Sequence, residues 1–159
     1  TPLYSSAASD VYKRQDLDNQ TPLAVDLEAL EKIADTLSSK EVELIITDDE
    51  TMQKLNAEHR GKDKVTDVLS FPMETPFTEQ SIFGMPLGSI IIAESFVKEK
   101  AAEFGHSTQD ELSLLFIHGM LHLLGFDHEN DQGEMRMREK ELITQFNLPE
   151  SLIVRTEEH

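Results

Sequence analysis

Residues 107–128 read STQDELSLLFIHGMLHLLGFDH. Ser107 or Thr108 can cap a helix here, with Asp110 or Glu111 three residues on, a capping-box pattern. The helix is predicted to run to Leu124 and to stop at Gly125, a natural left-handed terminator. Leu112, Leu114, Leu115, Phe116, Ile117, Met120, Leu121, Leu123 and Leu124 cover nearly its whole circumference. A helix apolar all round is a central, buried one. Yet it carries His118 and His122, i and i+4, projecting from one face a turn apart, and His128 follows just after Gly125.

The flanking segments supply what such a helix packs against. Asp26 can cap a helix whose apolar residues Leu27, Leu30, Ile33, Ala34 and Leu37 follow helical spacing. EVELIIT, 41–47, reads as a strand, and the Asp48–Asp49 pair then caps a helix through about Glu58. VTDVLSF, 65–71, reads as a strand stopped by Pro72; 73–86 is a loop; LGSIIIA, 87–93, is a buried strand. A helix over 94–104 ends at Gly105, and a last helix is expected from Asp131 to Phe146 with alternating charges on its exposed face. The order predicts an α+β domain, a small sheet covered by helices on one face or both, spanning 16–159. TPLYSSAASDVYKRQ, 1–15, is poorer in apolar pattern and rich in small polar residues, and is expected to be a non-native or disordered leader.

Composition narrows the classes. With 38% hydrophobic and 28% charged residues the chain has a soluble globular composition, not a disordered one. No apolar run reaches the roughly 18–20 residues needed to span a bilayer. The absence of cysteine excludes a disulfide scaffold and thiolate metal sites, and fits a cytoplasmic protein. The net charge of −17 repels RNA, DNA and anionic membranes, so any nucleic-acid function needs a local positive site.

A lone histidine on an apolar face is usually satisfied by hydrogen bonds. Three at this spacing, on an apolar helix and its terminating turn, point to a metal held by His118, His122 and His128. Imidazoles without thiolates suit zinc best, with nickel, copper or iron also possible. Three protein ligands leave a position open, the mark of a catalytic rather than a structural zinc. The spacing matches the zinc pattern of metzincin proteases, except that Gly119 stands where those place the glutamate that serves as general base. A peptidase or amidase, drawing a base from elsewhere, is therefore the second reading. Gly119 itself admits either close approach of another segment or of substrate, or plain helix–helix packing.

LNAEHRGKDKVTDVLSFP, 55–72, holds one of the few basic clusters: Arg60, Lys62 and Lys64. An arginine near a metal site can clamp a phosphate with two prongs. Thr66 and Asp67 are either a hydrogen-bonding pair at the strand start or a wall of the site. Asp127, beside His128, can orient a ligand, accept a proton, or merely cap a turn. His59 is expected to be exposed or at a helix end, and His106 to cap the helix before it. Arg136, Arg138 and Lys140 are expected to pair with Glu139, Glu141 and Glu134 at the surface.

Together, HGMLHLLGFDH and RGKDKVTDVLSFP, joined by LGSIII at 87–92, resemble the YbeY family of bacterial metal-dependent endoribonucleases, also called rRNA maturation factors. DNQTPL near the start of the domain fits as well. The resemblance implies a zincin-like fold with a small mixed β-sheet and one zinc on His118, His122 and His128. It implies a catalytically important Arg60 and cleavage of single-stranded RNA. It further implies action at the 3′ end of small-subunit ribosomal RNA, ribosome quality control, a cytoplasmic location, and ribosomal proteins and a ribosome-assembly GTPase as partners. Ser89, where many members have an acidic residue, and Phe126, where tyrosine is common, depart from the pattern. A zinc-stabilised assembly factor without catalysis is the third reading.

Overall fold

The computed structural model describes residues 15–72, 87–127 and 131–158. Residues 1–14 of the expected leader, the expected loop 73–86, His128 and the tail residue His159 lie outside the described residues.

Strand pairing follows the β-branched runs. β2 (Val42–Thr47) and β4 (Gly88–Ala93) pair in parallel, Leu44 opposite Ile90 and Ile46 opposite Ile92. β3 (Val68–Pro72) runs antiparallel on the other side of β4, with Ser70 opposite Ile90. A further strand, β1 (Gln15–Asn19), pairs in parallel with β2, giving a mixed four-stranded sheet in the order β1-β2-β4-β3. β1 was not expected. QDLDN carries one large apolar residue, so its strand state comes from pairing at a sheet edge and not from its own pattern. β3 starts at Val68 and not Val65, because the Asp67 carboxylate accepts the Val68 N–H at 2.8 Å and caps the strand start.

Among the described residues there are six helices: α1 (Leu27–Leu37), α2 (Asp49–Arg60), α3 (Glu94–Phe104), α4 (Thr108–Leu123), α5 (Glu134–Gln145) and α6 (Ser151–Glu158). Asp26 and Asp48 cap α1 and α2 as expected. The Thr51 N–H bonded to Asp48 holds its carboxyl below the usual carboxylate range. Ser107 and Asp110 close the capping box of α4. The expected last helix starts later, at Glu134, and is followed by α6.

Alternation along β2 and β4 divides the core. Leu44, Ile46, Ile90 and Ile92 face α1 and α4, meeting Leu30, Ile33, Leu115 and Phe116. Ile45 and Ile91 face the other way, with Leu69, and take Met52 and Leu55 from α2. Helices therefore cover both faces. α4 is enclosed because α5 and α6 close over its far side, Leu114 packing on Ile143 and Leu152. Each such fully buried leucine or isoleucine contributes about 1.5–3 kcal/mol. Gly119 is the contact point with the sheet: a Cβ there would lie 2.8 Å from Ile90 Cγ2. Of its expected uses, close approach of another segment, here β4, is the one observed. No helix among the described residues is long and apolar enough to cross a membrane.

Candidate active site

α4 delivers its two histidines side by side. Their Nε2 atoms are 3.0 Å apart, and the rings meet edge to face. Each Nδ1 has an oxygen nearby. That of His122 lies 3.1 Å from the Phe126 carbonyl oxygen, which the left-handed Gly125 turn brings back over the helix end. That of His118 lies 3.4 Å from Glu139 Oε1, on α5. The Phe126 carbonyl can only accept, so it fixes the proton of His122 on Nδ1. A proton on His118 Nδ1, favoured by the nearby Glu139 carboxylate though without hydrogen-bond geometry, leaves both Nε2 atoms turning lone pairs toward one point. Two lone pairs at that distance repel unless a proton or a cation lies between them. Two imidazoles on a tetrahedral zinc stand about 3.3 Å apart, so the pair fits such an ion with little movement. Among the described residues no group of three histidine, cysteine, aspartate or glutamate side chains surrounds a metal position. The predicted third ligand, His128, lies outside those residues.

The histidine pair opens on a cleft of about 840 Å³. Arg60, Lys64, Lys100 and Arg155 line it, against the carboxylates of Asp67 and Asp127. In a chain of net charge −17, this is the local excess of positive groups that a polyanion requires. Arg60 is the last residue of α2, which Gly61 ends in the left-handed conformation. Its Nη2 reaches the Ser70 carbonyl oxygen on β3 at 3.5 Å, and the Ser70 hydroxyl donates to the Gly119 carbonyl at 3.3 Å. β3 thus connects Arg60 to the helix that bears the histidines.

The other expected residues sort as follows. Asp127 is exposed on the cleft wall, and its backbone carbonyl accepts from Asp131 N–H at 3.0 Å. Asp67 does both things foreseen for it, capping β3 and lining the cleft. Phe126 lines the cleft, whereas Ser89 bonds Glu43 at 2.8 Å on the sheet. His59 is exposed at the end of α2, as expected. His106 does not use its ring to cap α3. The ring is buried, 2.9 Å from the Ser151 hydroxyl and 2.8 Å from Glu111. Glu139, assigned above to surface pairing, is only 3% exposed and faces His118; Arg138 pairs with Glu141. The readable signal for Glu139 was its place in the stripe Met135, Glu139, Leu142 that α5 turns inward. Arg155 was missed because α6 was not read as a helix.

The family model described as "Endoribonuclease YbeY" matches residues 6–147. A protein of that name from Sulfurovum sp. is 63% identical over 142 residues, 89% of this chain and 97% of its own. One from Wolinella succinogenes is 59% identical over 143 residues, 90% of this chain and 98% of its own. The solution structure of TM1509 from Thermotoga maritima superposes with a TM-score of 0.53 at 25% identity, covering 83% of this chain and 88% of that one. The motifs around Arg60 and the histidines, the α+β architecture and the extent of these matches agree: the chain belongs to the endoribonuclease YbeY family.

Proposed function

We propose that this protein is a zinc-dependent endoribonuclease acting on single-stranded RNA. By family likeness, its place is in maturation of the small-subunit ribosomal RNA 3′ end and in ribosome quality control in the cytoplasm. Ribosomal proteins and an assembly GTPase would be its partners there. The observation that carries the reading is one cleft in which Arg60 and Lys64 share the walls with His118 and His122.

His118, His122 and, on the sequence pattern, His128 would hold the ion, which when bound supplies Lewis acidity toward a phosphoryl oxygen. The chain's own groups do the rest. The Phe126 carbonyl holds His122 in the tautomer that leaves Nε2 available, and the Glu139 carboxylate, 3.4 Å from His118 Nδ1, favours the same tautomer there by its charge. Arg60, set at a helix end and steadied on the Ser70 carbonyl, offers its remaining N–H groups to charge developing on the phosphate. Asp127, exposed on the wall, can take a proton at its carboxylate.

Two features weigh against peptide hydrolysis. Position 119, where a metzincin carries its base, packs against Ile90 with no room for a side chain. The outer side of β3, an edge strand among the described residues and the place where an extended peptide would add, has its Ser70 carbonyl bonded by Arg60.

The test is cleavage of a single-stranded RNA by purified protein beside His122→Ala and Arg60→Ala, with metal measured on each sample. The expected result is about one zinc per chain and cleavage in the wild type, no cutting by His122→Ala, and a loss of about a hundredfold in Arg60→Ala that leaves a measurable rate. Equal cutting by all three would mark a contaminant and overturn the reading. Peptide turnover without RNA cleavage would transfer it to the peptidase class.

A further inference from the structure

The mechanism above leaves one buried charged cluster unused. Arg155, on α6, is 3% exposed yet borders the cleft. Its Nε donates to Glu111 Oε2 at 3.0 Å and its Nη2 to Asp67 Oδ2 at 3.1 Å. Its guanidinium lies 5.9 Å from the Phe104 ring centre. The other Glu111 oxygen is 2.8 Å from His106. α6 lies beyond the residues that the family model matches.

Docking α6 does not by itself need this arginine, because Leu152 already packs on Leu114 and Ile143. What the arginine adds is a grip on Asp67. The same carboxylate caps the start of β3 through Val68 N–H, and the Asp67 carbonyl accepts from Ala93 N–H. Three residues further along β3, the Ser70 carbonyl steadies Arg60. Among the described residues β3 is a short edge strand, pinned at its start by α6 and carrying the support of Arg60 at its middle residue.

We propose that Arg155 is a positioning residue of the cleft: by holding Asp67 it sets β3, and through the Ser70 carbonyl it sets Arg60. The C-terminal helix is then a working part of the site. This rests on the endoribonuclease reading for its kinetic consequence, though not for its structural one.

The experiment compares Arg155→Ala and Asp67→Asn, each alone and combined with Arg60→Ala. It measures kcat and KM on a single-stranded RNA oligonucleotide, and the NMR resonances of the Arg60 Nε–H and the Ser70 amide. Asp67→Asn breaks the link from the other side should Arg155→Ala not fold. Misplacing a transition-state group costs kcat more than KM, so each single variant is expected to lose about tenfold in kcat. Added to Arg60→Ala, the same change should cost less than about twofold, because the group it positions is gone. The Arg60 and Ser70 resonances should move in both variants. A full tenfold loss in the Arg60→Ala background, or resonance changes confined to α6 and its neighbours on α4, would overturn the proposal. A wild type that does not cut RNA would sink the endoribonuclease reading instead, and the resonances would still decide the positioning role.

Discussion

Glu139 shows how one carboxylate changes the meaning of a histidine. Its Oε1 lies 3.4 Å from His118 Nδ1, which favours a proton there and leaves Nε2 to face its neighbour on His122. Carboxylates in that place also raise the basicity of the ring they hold. Glu139→Gln keeps the shape and removes the charge. Zinc affinity, read by competition with a chelator, should fall by about 10–100-fold. Unchanged affinity would show that Glu139 serves packing alone. His118 and His122 were legible because i, i+4 spacing on a helix is enough to place two rings on one side. Glu139 was harder, since in EMRMREKELI it reads as one of many surface charges until the inward stripe is laid over it.

The strand–helix contact at Ile90 and Gly119 governs how closely α4 approaches the sheet. A methyl group at 119 would meet Ile90 Cγ2 at 2.8 Å, under a contact that real structures tolerate. Gly119→Ala gains about 1 kcal/mol of helix propensity. It loses about 1–3 kcal/mol to overpacking, so a net loss is expected. Thermal unfolding measures it, with Gly119→Ala made both in the wild type and in Ile90→Ala, which removes Cγ2: the change should cost less in the second background. A single variant as stable as wild type would show that α4 shifts freely. The other elements were legible in proportion to their apolar content. β2, β4 and α4 state their own structure, whereas β1 and α6 are defined by what they pair with and dock on.

Charge has to be judged over the entire chain. A net −17 opposes RNA, and the cleft answers with Arg60, Lys64 and Lys100, while Arg155 is already engaged by two carboxylates. If those three cations meet about three phosphates, log affinity should fall with log salt at a slope of about −2. Binding of single-stranded RNA would then weaken about fifteenfold between 50 and 200 mM salt, measured by fluorescence anisotropy. A slope near zero would remove the cleft cations from binding. Such modest affinity leaves room for a basic ribosomal protein docked on the acidic surface to deliver the RNA. Local rules were sufficient for much of this protein: apolar periodicity for the buried helix and central strands, capping chemistry for helix starts, and i, i+4 spacing for bringing His118 and His122 together. Those signals reside within a few residues of one another. Which carboxylate holds His118, why Gly119 has no side chain, and that Arg155 reaches Asp67 were decided only in three dimensions. Each joins segments far apart in the chain, and only burial makes their contacts strong enough to matter.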